Sequence, residues 1–406
     1  MKSFFRTLSA VLLAFCVPVY SAVIYGLAAL PDEVCVAENE APNFGLIYSA
    51  SDNQKTVAAA TSEKSNGEYN SQITALKIFP VKDIKVSISK RRYVGIGGDI
   101  FGIKLYTKGV IVAGVDSVTT SAGNSDPAGT AGIKCGDVIT HIDGSEIESA
   151  QQLNDAIESC NGKALKLKVD RSGESVELLL TPQKSVNGKY KAGLWVRDSS
   201  AGIGTITFYD DKAGIFAGLG HGVCDVDTGK IMPLSDGEAV KAKVNGFYKS
   251  SAGHPGELCG VFSSVTLGRL LYNGDSGVYG EINQPSNAKL VPVALESEVK
   301  TGKAQMIATI DENGPKYYDI EITKLYSSEG YATRNMIIKV TDPELLEKTG
   351  GILQGFSGSP IIQNSMLVGA VTHVFINDTV QGYGIFAETM LKTADSLNNS
   401  KADLAA

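Results

Sequence analysis

The chain has 406 residues, of which 43% are hydrophobic and 20% are charged, and its formal net charge is −7. This length gives room for two or three domains, and the composition excludes a chain that is disordered throughout. The acidic balance offers no basic field that could displace counterions from phosphates, so we expect no nucleic acid among its partners. The 44 glycines, spread between short apolar runs, favour a mainly β protein.

The first element is an uncharged stretch over residues 8–30, preceded by Lys2 and Arg6. A helix of this length can cross a membrane, and positive charge before it predicts export of the rest of the chain. The same stretch also fits a cleaved signal peptide, so residues 1–30 are either an anchor or a leader. In both cases the body of the protein is exported, and it is either anchored to the membrane through this helix or released after cleavage.

Residues 31–90 are expected to form a linker and an extended N-terminal segment. The part from 49 to 72 is polar and poor in large apolar groups, which is typical of a flexible linker. Apolar residues alternate toward the end of the stretch 78–89 and predict a strand there. The six cysteines contain no CxxC pair, so a zinc ribbon is excluded. Cys135–Cys160 and Cys224–Cys259 are two possible disulfides, and free thiols are the default interpretation.

Residues 91–185 predict one compact α+β domain with a helix that begins after Ser149 and a hairpin over 165–180. The run PAGTAGIKCGDVITHIDGSEIESAQQL resembles the PDZ domains attached to exported bacterial serine peptidases. This resemblance implies a groove in which an extended chain end adds to a sheet edge beside a helix. It places the carboxylate-binding loop at Ile100-Phe101-Gly102-Ile103, with Leu153 and Ile157 on the groove helix. The alternative is that these apolar residues only form the core.

Residues 186–406 are predicted to form an all-β double barrel or sandwich, because short strands alternate with turn residues throughout. The strongest local signal is the turn Gly355-Phe356-Ser357-Gly358-Ser359-Pro360. A serine on such a turn can attack a carbonyl while the adjacent N–H groups, those of Gly355 and Ser357, stabilise the oxyanion. The turn, the hairpin after it and the apolar strand that reaches His373 resemble the nucleophile region of chymotrypsin-like peptidases.

A serine nucleophile needs a general base, and the chain has four histidines: His141, His221, His254 and His373. We favour His221, because it follows an apolar strand, lies between glycines and precedes the serine, as in the chymotrypsin-like order. His373 is better interpreted as a residue of the cleft wall. His141 belongs to the PDZ run, and His254 lies in a turn.

The acid that would orient this base is less clearly marked. Asp342, shortly before the serine, and Asp275, in Gly274-Asp275-Ser276-Gly277, are both candidates. The latter tetrapeptide matches a trypsin-like nucleophile motif literally. It lies too soon after His221 for the serine of a second barrel, and we interpret it as a turn.

Two runs, GHGVCDVDTGK at 220–230 and GGILQGFSGSPIIQNSMLVGAVTHVFIND at 350–378, resemble the stage IV sporulation protein B serine peptidase family when taken with the PDZ domain and the N-terminal segment. The resemblance implies the catalytic set His221, Asp342 and Ser357. It also implies a signalling peptidase in the space between forespore and mother cell of an endospore-forming bacterium. Such a peptidase cleaves its own N-terminal region and a membrane-bound regulator of sigma-factor processing.

Other functions fit parts of the sequence. A general exported quality-control protease would use the same catalytic residues, and a non-catalytic PDZ adaptor would use only the groove. An inactive scaffold has no reason to keep both GHG and GFSGSP, and a structural protein of the spore envelope has no reason to carry a PDZ groove. The scattered histidines offer no ligand spacing, so we expect no metal and no cofactor.

Overall fold

The structure is a computed structural model that describes residues 16–28, 30, 32–38, 42, 44, 47–50, 67–327 and 333–405, with the side chains of the last six excepted. The chain divides into two compact units. One contains Met1–Arg92 and Pro292–Val299, and the other contains Tyr93–Val291 and Lys300–Ala406.

The first unit holds a helix over residues 16–28 and a four-stranded sheet with the strand order β1-β4-β3-β2. Its strands are β1 (Glu33–Ala37), β2 (Tyr48–Ala50), β3 (Glu68–Ala75) and β4 (Phe79–Ser89). The strand expected over 78–89 is therefore present. The end of the expected linker, however, belongs to β3, because its polar residues alternate with buried ones across from β4. Residues 51–66 of that linker lie outside the described residues.

The predicted membrane segment is described only in part. Residues 16–28 are helical, and residues 8–15 lie outside the described part of the chain. Within the residues that the structure describes, no helix is long and apolar enough to cross a membrane.

The second unit contains two β-barrels and a PDZ-like region. The strands of the first barrel pair in a closed ring, β6-β17-β18-β19-β16-β15, which returns to β6. These strands and their two neighbours are β5 (Tyr93–Ile96), β6 (Ile100–Val115), β15 (Leu194–Asp210), β16 (Ile215–Gly218), β17 (Leu234–Tyr248), β18 (Glu257–Gly274), β19 (Gly277–Glu281) and β20 (Leu290–Pro292).

The second barrel is closed by six strands in the order β21-β22-β23-β26-β25-β24. Their bounds are β21 (Gly302–Ala308), β22 (Lys316–Leu325), β23 (Met336–Val340), β24 (Pro360–Gln363), β25 (Met366–Val374) and β26 (Gln381–Phe386). A helix over Pro343–Thr349 precedes β24, and a helix over Ala387–Ala405 follows β26. The expected mainly β, double-barrel architecture is confirmed.

The PDZ-like region lies between β6 and β15. Its strands are β7 (Val118–Thr120), β8 (Gly123–Ser125), β9 (Val138–Ile142), β10 (Ser145–Glu146), β11 (Leu165–Arg171), β12 (Glu174–Leu180), β13 (Gln183–Lys184) and β14 (Tyr190–Lys191). It has a short helix over Pro127–Thr130 and a longer one over Ala150–Ser159, which we call the PDZ helix. Ser149 caps the PDZ helix in a reciprocal capping box with Gln152, as the sequence predicts.

The PDZ-like region is inserted into the first barrel and does not precede it. The first half of β6 pairs with β17 and β15 of the barrel, and its second half pairs with β9. Phe101, Ile103 and Leu105 are accordingly buried in the barrel core with Ile206 and Phe216. One continuous strand therefore serves both sheets, and the expected domain bounds at residues 91 and 185 stay predictions.

Candidate active site

The loop that carries Ser357 is shaped by two glycines with backbone angles that other residues rarely adopt. Gly355 and Gly358 have φ values of 101° and 95°. A Cβ atom on Gly358 would collide with the carbonyl oxygen of Thr205, so this position requires glycine. The conformation turns the chain sharply before β24 and leaves the Ser357 side chain at the surface of a cleft.

Strand β15 of the first barrel is attached to this loop by three hydrogen bonds. The N–H of Thr205 donates to the Ser357 carbonyl at 2.9 Å, and its hydroxyl donates to the Gly355 carbonyl at 2.9 Å. The hydroxyl of Thr207 donates to the Gly358 carbonyl at 2.8 Å. Both threonines are fully buried. The nucleophile loop is therefore fixed by side chains that lie about 150 residues earlier in the chain.

The N–H groups expected to stabilise an oxyanion are available. Among the described residues, no group accepts a hydrogen bond from the amide of Gly355 or of Ser357. The peptide unit that carries the Gly355 amide is fixed, since the Gln354 carbonyl accepts from Leu258 N–H at 2.9 Å. Two unoccupied donors on residues that line the same cleft as the serine fit the requirements of an oxyanion hole.

His221 follows β16 on a tight turn in which Leu219 and Gly220 both have positive φ. Its Nδ1 atom lies 2.8 Å from the Gly222 carbonyl, and because a carbonyl can only accept, Nδ1 carries the proton. The neutral ring therefore keeps Nε2 free to accept a proton from a nucleophile. Burial, together with the nearby positive charge of Arg334, lowers the pKa of His221, although the bond to Gly222 opposes this shift.

His373, on β25, stands beside His221 with the two ring centroids 4.6 Å apart. Burial, the neighbouring His221 and the charge of Arg334 lower the pKa of His373 to about 4. Its Nδ1 atom is buried and has no hydrogen-bond partner among the described residues. His373 is thus a neutral part of the cleft wall at pH 7, which agrees with its interpretation from the sequence.

His221, Ser357 and Gly355 line one cleft of about 500 Å³ between the two barrels. Its other walls are largely apolar and include Ile203, Leu219, Ile352, Leu353, Val371 and Ile376. The Ser357 hydroxyl donates to the Thr372 carbonyl at 2.6 Å. The hydroxyl must leave this carbonyl before His221 can accept its proton, so the structure holds the nucleophile in a resting orientation.

Neither candidate for the acid lines this cleft. Asp342 caps the helix before the nucleophile loop, where its carboxylate accepts from the N–H groups of Leu345 at 2.9 Å and Asp319 at 3.2 Å. Asp275 is exposed in the turn between β18 and β19. The structure therefore brings His221, Gly355 and Ser357 together, and the role of Asp342 as the triad acid stays a prediction.

The predicted carboxylate-binding loop requires a correction. Phe101, Gly102 and Ile103 form part of β6, and both edges of this strand are hydrogen-bonded, to β15 and β17. No edge is left there for a peptide, because the PDZ motif lies on a strand that the barrel also uses. Leu153 and Ile157 lie on the PDZ helix as expected, are buried, and line a second cavity of about 800 Å³.

This second cavity identifies a different sheet edge. It is bounded by the PDZ helix on one side and by Gly193, Leu194, Trp195 and Val196 on the other. Residues 194–197 of β15 pair with β6 on one edge only, and among the described residues no strand pairs with the other edge. We call this space the PDZ groove. The sequence signal that could have located it is the run Ala192-Gly193-Leu194, a glycine between apolar residues directly before a strand.

The model of the SpoIVB peptidase S55 family matches residues 188–391, and a PDZ domain model matches residues 86–181. The first match spans half of the chain. The chain belongs to the SpoIVB peptidase S55 family. The prediction of that family, with a PDZ domain and a serine endopeptidase domain, is confirmed at the level of the family.

More distant similarities of this SpoIVB-family chain cover less of it. It is 37% identical over 87 residues to the putative zinc metalloprotease LL2128 of Lactococcus lactis, and these residues are 21% of the chain and 20% of the relative. It is 25% identical over 196 residues to the metalloprotease MmpA of Caulobacter vibrioides, covering 37% of the chain and 49% of the relative. The chain thus spans less than half the length of these relatives. A solved structure of the Rv3671c protease of M. tuberculosis is 13% identical, with a TM-score of 0.29, and the similarity covers 49% of this chain and 74% of that one.

Proposed function

We propose that the protein is an exported serine endopeptidase of the signalling type. It cleaves its own N-terminal region and a membrane-bound regulator of sigma-factor processing, in the space between forespore and mother cell. The observation that carries the catalytic part is the cleft in which Ser357, the free Nε2 of His221 and two unoccupied N–H donors lie together. The location and the substrates rest on the family resemblance of the two motifs.

The reaction follows from the positions of these groups. The Ser357 hydroxyl turns from the Thr372 carbonyl toward His221 and attacks the carbonyl carbon of the peptide bond, while Nε2 of His221 takes the hydroxyl proton. The amides of Gly355 and Ser357 hold the negative oxygen of the tetrahedral intermediate. The C–N bond then breaks as His221 gives the proton to the leaving amine, and the acyl group stays on the Ser357 oxygen. Water enters, loses a proton to His221 and attacks the acyl carbon. The acyl–oxygen bond breaks, His221 returns the proton to the Ser357 oxygen, and the acid product leaves.

Two serines of the same loop provide a matched test. Ser357 lines the cleft, whereas Ser359 is buried and its hydroxyl has no hydrogen-bond partner among the described residues. We expect Ser357→Ala to abolish self-shortening of the full chain and labelling by a fluorophosphonate probe. Ser359→Ala should keep both, with intact-mass spectrometry as the readout. A wild-type protein that neither shortens nor reacts with the probe would move the assignment to the PDZ adaptor.

A general quality-control protease is the second enzyme hypothesis, and an unfolded substrate separates the two. A signalling peptidase should leave reduced casein intact under conditions in which it shortens itself. Rapid digestion of casein by the wild type, but not by Ser357→Ala, would favour the quality-control function.

The PDZ groove is the proposed site for an extended peptide partner. A chain added beside residues 194–197 would form backbone hydrogen bonds with the unpaired edge of β15 and face Leu153 and Ile157 of the PDZ helix. Trp195 is the only tryptophan of the chain, lines this groove and is 67% exposed. Its fluorescence is therefore a direct measure of occupancy.

A further inference from the structure

The segment that carries the general base continues into a short hairpin, which we call the base hairpin (residues 221–232). Within it, Asp225 N–H donates to the Lys230 carbonyl at 2.9 Å and Met232 N–H donates to the Val223 carbonyl at 3.0 Å. Asn273 attaches the base of the hairpin to β18 through hydrogen bonds with both backbone groups of Val223. Because His221 is the first residue of this hairpin, the position of its imidazole depends on how the hairpin is held.

The tip of the base hairpin is attached to the PDZ-like region at two points. Arg197 reaches it from β15, directly after the groove residues Trp195 and Val196, and its Nη2 donates to the Asp227 carboxylate at 2.6 Å. Lys230 reaches the other way, and its Nζ donates to the Gly136 carbonyl at 3.3 Å and to the Ser172 hydroxyl at 3.2 Å. Both attachments join the base hairpin to the part of the chain that forms the PDZ-like sheet. Arg197 lies on the first residues of β15, which pair with the second half of β6, and Gly136 and Ser172 lie between these two strands.

Arg197 also faces a buried carboxylate of the base hairpin, that of Asp225. The Asp225 side chain is fully buried, and one oxygen accepts from the N–H groups of Asp227 and Thr228. The other oxygen has no hydrogen-bond partner among the described residues, and its one ion-pair partner there is Arg197 Nε at 3.6 Å. Loss of Arg197 would leave a buried carboxylate without a counter-charge, which is costly. The hairpin would have to open and admit water to that carboxylate.

We infer that Arg197 is a positioning residue for the general base. It holds the base hairpin, and through it His221, against the PDZ-like region, with Lys230 as the second attachment. The inference rests on the proposed function, since it needs His221 to act as the base. It adds a role for residues outside the catalytic cleft, because Arg197, Asp225 and Lys230 do not line it.

The test measures the rate at which a fluorophosphonate probe labels Ser357 in the full chain, as a function of pH, because this readout needs no knowledge of the substrate. We expect Arg197→Ala to slow labelling by about 10- to 100-fold, the range in which small displacements of a catalytic group act. The acid limb of the rate should also move to higher pH, since an opened hairpin exposes the imidazole whose pKa burial lowers. Arg197→Lys should restore part of the rate, because it keeps a positive charge beside Asp225.

The matched control is Arg269→Ala, which removes an exposed arginine that pairs with Asp236 at 3.1 Å and makes no hydrogen bond to the base hairpin among the described residues. Its labelling rate should stay within about twofold of wild type. A folded Arg197→Ala protein with the wild-type rate and pH profile would overturn the inference. Should Arg197→Ala not fold, the double variant Asp227→Ala/Lys230→Ala removes the two solvent-accessible attachments and leaves the buried pair. We expect it to slow labelling, and an unchanged rate would overturn the inference. Absence of labelling in wild type would instead contradict the proposed function.

Discussion

Thr205→Val removes one hydroxyl from beneath the nucleophile loop and keeps the shape of the side chain. The lost bond joins Thr205 Oγ1 to the Gly355 carbonyl at 2.9 Å. This carbonyl belongs to the peptide unit that joins Gly355 to Phe356. The peptide units directly before and after it carry the N–H groups of Gly355 and Ser357, the two oxyanion donors. The bond from Thr205 N–H to the Ser357 carbonyl remains, so the loop stays attached but its central peptide unit can rotate.

The expected sizes follow from the surroundings of each bond. The Gly355 carbonyl is only partly buried, so water can replace the lost donor and the free energy of unfolding should fall by about 1 kcal/mol. Removal of one oxyanion donor in a serine peptidase costs about 10²–10³ in kcat. Thr205→Val leaves both donors but loosens the unit between them, so we expect a fall in kcat of roughly tenfold, below that limit.

Thr207→Val is the matched control. Its hydroxyl donates to the Gly358 carbonyl at 2.8 Å in a fully buried position on the far side of the serine. Because water cannot reach that carbonyl, the loss in the free energy of unfolding should be larger, about 1–3 kcal/mol. The oxyanion peptide units are untouched, so kcat should change less than in Thr205→Val.

The two variants are therefore expected to rank in opposite order for stability and for activity. Urea unfolding gives the first quantity, and the rate of self-cleavage or of fluorophosphonate labelling gives the second. Activity losses that follow the stability losses in both variants would refute the reasoning. So would a Thr205→Val enzyme with the wild-type rate, because the Gly355 carbonyl would then not control the oxyanion hole.

The remaining predictions concern the base, the acid and the groove. Since burial lowers the pKa of His221, the labelling rate should be lost only as pH falls below the ordinary histidine pKa. Arg334→Gln removes a positive charge that also lowers this pKa, so it should shift the loss of rate to higher pH. A shift to lower pH would contradict the effect assigned to the charge of Arg334. Because the pKa of His373 is lowered to about 4, the unfolded chain binds more protons than the folded one between about pH 4 and 6.5, and the free energy of unfolding should rise with pH across this window. His373→Gln should flatten this rise in urea titrations. Asp342→Ser, which keeps a capping oxygen, should retain most of the stability and activity that Asp342→Ala loses, and an inactive but equally stable Asp342→Ser protein would instead support its role as the triad acid. Peptides with a free carboxyl terminus should shift the emission of Trp195, and an unchanged spectrum under saturating peptide would exclude the PDZ groove as their site.

The sequence predicts the features that depend on local chemistry. Glycines mark the nucleophile turn, and an apolar strand marks the histidine that follows it; both lie in the cleft. A capping pattern marks the start of the PDZ helix. These signals are short in range, because the residues that carry them are neighbours in the chain. Ser357 and His221 could be paired only because the order of motifs matches a known arrangement.

Features that depend on distant pairing were not predictable. β6 reads as a PDZ strand because its local motif fits one, but its first half pairs with β17, well over a hundred residues later. The threonines beneath the nucleophile loop are similar, since an alternating strand gives no sign of which loop its buried side will meet. The groove edge at residues 194–197 differs, because the run Ala192-Gly193-Leu194 before it is a local signal and only its pairing with β6 is distant.

The insertion of the PDZ-like region also bears on the resting orientation of the serine. β6 and β15 run without interruption from the PDZ sheet into the first barrel, and β15 then supplies Thr205 and Thr207 to the nucleophile loop. The Ser357 hydroxyl has to exchange the Thr372 carbonyl for His221 Nε2 before the serine can react. Because this exchange replaces one hydrogen bond by another, the two orientations should differ little in free energy. We propose a peptide site in the PDZ groove on this same strand, so we expect a peptide bound there to change the populations of the two orientations.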